Sequence, residues 1–120
     1  MKLVICGSKK AINCMNELET GLISRGHEII SSKFVTDNLE NDFVDYFDKI
    51  NEADSLLVAN VNEGLKRYHV DSISFLGMRF AFVSDKSIYL LNSLYWGNKY
   101  EEIINKMGSI FLEGNLDLIG

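Results

Sequence analysis

Short apolar runs and stretches of helical periodicity follow one another along this chain in strict alternation, a pattern few folds accept. Lys2–Cys6 is an apolar run closed by Gly7-Ser8, which predicts a buried strand. From Lys9 to Arg25, Ile12, Met15, Leu18 and Leu22 recur at the spacing of one helix face, and Gly26 is a natural stop. His27–Ser31 predicts a weaker second strand, and Asn38–Ala53 an amphipathic helix with Leu39, Phe43, Phe47 and Ile50 on its apolar side. Ser55–Val61 is the strongest strand, followed by a polar, glycine-bearing loop over Asn62–His69. Asp71–Val83 reads as a buried helix, although its apolar composition would also suit a strand. A strand at Ser87–Leu91, a loop holding Tyr95, Trp96 and Gly97, a helix over Lys99–Met107 and a strand at Ser109–Leu112 complete the series.

Strict strand–helix alternation requires a parallel sheet covered on both faces. The expected class is therefore α/β, a three-layer sandwich with five parallel strands in the order 2-1-3-4-5, flavodoxin- or Rossmann-like. Residues 1–120 are expected to form a single domain, because one core rarely splits below roughly 250 residues. Ligands of such sheets bind beyond the carboxyl ends of the strands, at the switch point between the first and third. The loops after Cys6 and Asn60 are thus where a site is expected.

Charge and composition narrow the partners. Twelve basic against seventeen acidic side chains leave a net charge of −5, which argues against a sequence-independent hold on a nucleic-acid polymer. No apolar run approaches the ~20 residues of a membrane span, and the N-terminal run turns polar too early for a signal peptide. Cys6 and Cys14 make neither a disulfide framework nor a zinc spacing. The expectation is a cytoplasmic protein with no metal, no other cofactor and no membrane partner.

In Cys6-Gly7-Ser8-Lys9-Lys10, a glycine and a hydroxyl between a strand and a helix start can offer backbone N–H groups to an anion. The two lysines oppose the helix macrodipole unless an anion reverses the sign. A plain strand-to-helix turn with solvated lysines fits the same residues. Dinucleotide and Walker-type fingerprints are missing. A phosphatase loop would need arginine where Ile12 stands, and a receiver domain would need carboxylates where Cys6 and Asn60 stand.

Ala53-Asp54-Ser55-Leu56-Leu57-Val58-Ala59-Asn60, followed after a loop by Asp71-Ser72-Ile73-Ser74-Phe75-Leu76-Gly77-Met78-Arg79-Phe80-Ala81, resembles the nucleoside 2-deoxyribosyltransferase family and its deoxynucleoside monophosphate N-glycosidase relatives. In that family an Ala-Asp precedes the central strand, the next helix opens with Asp-Ser-Gly-Thr-x-x-Glu-x-Gly-x-Ala, and a Lys-x-Ile strand follows. Asp85-Lys86-Ser87-Ile88-Tyr89-Leu90-Leu91 continues the likeness, and Cys6-Gly7-Ser8 is similar to the phosphate loop of the monophosphate-specific branch. The resemblance implies a small-molecule nucleoside or nucleotide held by Cys6, Gly7, Ser8, Lys9, Asn60, Ser72, Ser74 and Gly77. It also implies a glutamate that attacks C1′ of the sugar while an aspartate helps protonate the departing base, the two-carboxylate logic of retaining glycoside chemistry. Asp71 falls on the aspartate, and Gly77 on the glutamate.

Glycine supplies no nucleophile, and inside a helix it costs roughly 1 kcal/mol against alanine, so close packing or room for a ligand should account for it. Glu63 is the nearby carboxylate that could substitute, although a loop glutamate is usually solvated. Asp71 could equally be a helix cap. Tyr68 and the Tyr95-Trp96 pair suit either base stacking or packing, and His69 beside Asp71 suits a structural role. The expected function is a nucleotide-binding sensor or sequestering protein that has lost the family's glutamate. The alternative is an active N-glycosidase or deoxyribosyltransferase using Asp71 and Glu63. Ile73, Phe75, Leu76, Met78, Phe80 and Phe82 make their helix apolar nearly all round, so a homodimer or higher homo-oligomer is also expected.

Overall fold

The computed structural model describes residues 1–34, 39–94 and 98–120, with the backbone alone for 31–34 and 39–43. Strands β1 (Lys2–Cys6), β2 (Glu28–Phe34), β3 (Ser55–Val58), β4 (Ser87–Leu90) and β5 (Ile110–Phe111) alternate with helices α1 (Ile12–Ser24), α2 (Leu39–Glu52), α3 (Ser72–Val83) and α4 (Glu101–Lys106). All strand pairs are parallel and the sheet order is β2-β1-β3-β4-β5, as the alternation required.

Strand side chains alternate between faces, so each buried run feeds two cores. Val4, Cys6, Leu56, Val58, Ile88 and Leu90 meet Tyr46 and Ile50 of α2, Phe75, Met78 and Ala81 of α3, and Ile104 of α4. On the opposite face Leu3, Ile5, Leu57, Ala59 and Tyr89 meet Met15, Leu18 and Leu22 of α1 and Ile119 near the C-terminus. Burying one such side chain is worth about 1.5–3 kcal/mol, and these two layers hold the sandwich together.

Two local departures from the predicted elements have physical causes. Lys9–Ala11 is a short 3-10 helix ahead of α1, and its tighter winding shifts the helical phase, so Ala11 is buried and Ile12 is 37% exposed. The third strand ends at Val58, since beyond it side chains of Asn60 and Asn92 replace the backbone ladder. Residues 71–83 are helical from Ser72, as predicted. Gly26, with φ of +88°, ends α1 in the left-handed conformation that glycine adopts without strain. The interface reading of α3 finds Phe82 and Val83 52% and 82% exposed, while Phe75 and Met78 belong to the core. Among the described residues no helix is long and apolar enough to cross a membrane.

Candidate functional site

The carboxyl ends of β1 and β3 are clamped together. Ala59 N–H donates to the Cys6 carbonyl at 2.8 Å, so the loops leaving the two strands start side by side. A methyl group on Gly7 would stand 3.1 Å from Ala11 Cβ, 3.2 Å from Met15 Sδ and 3.3 Å from the Ala59 carbonyl. That crowding explains the glycine by close packing, whatever ligand the loop faces. Ser8 follows, its Oγ enclosed and without a hydrogen-bond partner among the described residues. Lys9 and Lys10 sit on the exposed side of the 3-10 helix.

From the other side comes the start of α3. Asp71 occupies the N-cap position in extended conformation, yet its side chain makes no capping hydrogen bond. The capping reading of this aspartate is therefore not what the structure shows: its carboxylate acts electrostatically on Cys6 and Tyr46 instead. Ser72 is exposed, whereas Ser74 is 1% exposed. Ser74 Oγ lies against the Cys6 thiol without completing a hydrogen bond of ordinary geometry. Gly77 lies one helical turn beyond Ser74 on the same buried side.

The side chain that completes this cluster comes from α2 and was not among the expected site residues. Tyr46 is 1% exposed, and its hydroxyl faces the Cys6 thiol. A methyl group on Gly77 would stand 2.6 Å from Tyr46 Cζ, 3.1 Å from its Cε2 and nearer still to the hydroxyl. The missing side chain at 77 is thus the space that the phenol fills. Phe47, the neighbour that the helical periodicity did select, stacks on Phe80 with ring centroids 4.7 Å apart and so holds α2 against α3. One signal for Tyr46 was present in the sequence: a glycine within a helix implies a close neighbour. It could not say which.

Burial sets the charge state of the cluster. Desolvation pushes the Cys6 thiol up to about 12, the Asp71 charge adds to this, and the hydroxyls of Tyr46 and Ser74 oppose it. The Tyr46 phenol is likewise held well above 10.0, first by burial and then by Cys6 and Asp71. Near neutral pH both are uncharged. A protonated, buried thiol is a poor nucleophile.

Other predicted site residues lie apart from this cluster or have further duties. Asn60 is fully buried; its Nδ2 donates to the Asn92 carbonyl at 2.7 Å and its Oδ1 accepts from Asn92 N–H at 2.9 Å. Asn92 Nδ2 returns a bond to the Asn60 carbonyl at 2.9 Å, so the pair staples the ends of β3 and β4. Glu63 is not a solvated loop carboxylate: its side chain is only 14% exposed and stands 3.8 Å from His69 Nε2. Backbone bonds between Glu63 and Lys66 tighten this loop, and Tyr68 holds a left-handed φ of 49° with the Arg67 guanidinium 6.0 Å above its ring. Tyr95 and Trp96 lie outside the described residues. Among the described residues no three His, Cys, Asp or Glu side chains gather closely enough to hold a metal ion.

The fold is similar to that of a solved structure, the Clostridium botulinum CMP N-glycosidase BcmB, with a TM-score of 0.59, 16% sequence identity, and coverage of 90% of this chain and 84% of that one. The resemblance drawn from the motifs is borne out at the level of the fold. No family model matches the sequence, and no curated protein does.

Proposed function

We propose that this chain is a single-domain nucleotide-binding protein that holds a nucleoside monophosphate without breaking its glycosidic bond, acting as a sensor or a sequestering binder. One observation carries the reading. Ser8 Oγ and Ser74 Oγ, from the two elements that flank the switch point, are enclosed without a well-formed hydrogen bond among the described residues, and Ser74 has only the Cys6 thiol against it. A buried hydroxyl left unpaired costs about 1–3 kcal/mol, and the polar atoms of a bound sugar or phosphate would remove that cost. Asp71, at the N-cap of the helix that carries Ser74, keeps its carboxylate uncommitted to capping.

Chemistry beyond binding lacks a second partner. Two-carboxylate glycoside cleavage needs carboxyl groups about 5–9.5 Å apart around the bond. Position 77 holds glycine, Cys6 and Tyr46 are neutral, and Glu63 is turned to His69. The exposed apolar residues of α3 support a homodimer or higher homo-oligomer in the same reading.

Isothermal titration calorimetry with a panel containing CMP, dCMP and the purine monophosphates tests the binding, and chromatography of the same mixtures tests for free base. Saturable binding with intact nucleotide is expected. Absence of binding to any member overturns the proposal, and steady base release that disappears in Glu63→Gln replaces it with the N-glycosidase alternative.

A further inference from the structure

Tyr46 lies in a predicted helix but in no predicted site, yet it occupies the place where the motif resemblance puts a reactive side chain. We infer that Tyr46 and Gly77 are a matched pair, and that Tyr46 is the residue that keeps this site from cleaving what it binds. The inference rests on the nucleotide-binding reading above for its ligand, but its packing half stands on geometry alone.

The argument starts from volume. Any side chain at 77 begins with a Cβ that would lie 2.6 Å from Tyr46 Cζ, inside the distance real atoms tolerate. Tyr46 cannot easily yield, because its ring is enclosed in the core between α2, α3 and the end of β1, beside Ile50, Met78 and Cys6. A carboxylate at 77 therefore requires a different residue at 46. The Tyr46 phenol and the Cys6 thiol are both kept neutral by burial, so neither can attack an anomeric carbon near neutral pH.

The test is an exchange of both positions. In the natural background, Gly77→Ala should lower the midpoint of thermal unfolding by roughly 5–15 °C through overpacking. In a Tyr46→Leu background, which withdraws the atoms nearest position 77, the same change should raise the midpoint by about 3–6 °C, as alanine does within a helix. Equal effects in the two backgrounds would overturn the pairing. Should Tyr46→Leu not fold, Tyr46→Phe removes the nearest atom, and the Gly77→Ala penalty must shrink in the same direction.

The functional half uses Gly77→Glu. Alone, it should release no base from a bound nucleoside monophosphate. Combined with Tyr46→Leu, it should release base at least tenfold above the natural protein. There the introduced carboxylate bonds to C1′ as the C1′–N bond breaks, and the base leaves with that electron pair and takes a proton from a water held at the Asp71 carboxylate. The hydroxide so formed displaces the introduced carboxylate at C1′, which yields free base and sugar phosphate. A folded double variant that binds nucleotide but releases no base overturns the assignment of position 77. If the natural protein binds no nucleotide while the stability coupling persists, the functional proposal fails and the pairing survives.

Discussion

Asn60→Ala offers a sharp test of how the carboxyl ends of β3 and β4 are held. Asn60 is fully buried and uses both ends of its amide on the backbone of Asn92, at 2.7 and 2.9 Å. Alanine would strand an N–H and a C=O together, at about 1–3 kcal/mol each, so we expect a loss of roughly 2–5 kcal/mol. Against a total stability of about 5–15 kcal/mol, that is a large fraction. Asn92→Ala removes only the return bond of 2.9 Å to the Asn60 carbonyl and leaves the other two in place. Its expected loss is about 0.5–1.5 kcal/mol. Urea denaturation with unchanged m-values would give both numbers. Equal losses, or a larger loss for Asn92→Ala, would refute the reasoning that the Asn60 side chain is the main staple. The same variants separate structure from binding: if Asn60 touches nucleotide, Asn60→Ala should weaken affinity of the folded protein well beyond Asn92→Ala.

Other perturbations have equally definite outcomes. Because Asp71 makes no capping bond, Asp71→Asn should change stability by less than ~0.5 kcal/mol while altering nucleotide affinity, and calorimetry beside thermal unfolding checks both. In the native protein Cys6 should resist thiol reagents at pH 8 while the half-buried Cys14 reacts slowly, and mass spectrometry of the labelled chain would show which sulfur carries the adduct. Folding raises the Cys6 thiol from 9.0 to about 12, so the native state binds the extra proton across that window and stability should fall as pH rises above 9. Unfolding midpoints measured between pH 8 and 10 would reveal that slope, and Cys6→Ala should flatten it. Arg25→Ala loses the 2.7 Å contact with Asp117 and a bond to the Gly21 carbonyl, but both charged groups are exposed, at 39% and 74%. The expected effect is below ~1 kcal/mol and shrinks further in high salt.

The layered architecture was legible from local pattern because each element carries its own period. Leu3 and Ile5 face one core and Val4 and Cys6 the other, which reads in the sequence as an unbroken apolar run. Met15, Leu18 and Leu22 mark one face of α1 by spacing alone. Boundaries were less secure where a side chain competes with the backbone, as at Val58, or where a 3-10 helix shifts the phase, as at Ile12. The candidate site was legible in part. Its location followed from the strand order, and Asp71, Ser74 and Gly77 followed from the motif. Asn60 and Glu63 lie beyond the carboxyl end of β3, where the first bonds to Asn92 and the second turns to His69.

From residue order alone come the strand–helix alternation, the parallel sheet it demands, and a glycine inside a helix at position 77. These are properties of short windows, in which periods of 2 and 3.6 report which faces must be buried. What fills the space above that glycine was decided only in three dimensions. Tyr46 meets Gly77 because two helices pack on one face of the sheet, and no short window contains both residues. The same holds for the uncharged state of Cys6, since a side chain's charge depends on the neighbours that exclude water from it, and the folded chain alone supplies those neighbours.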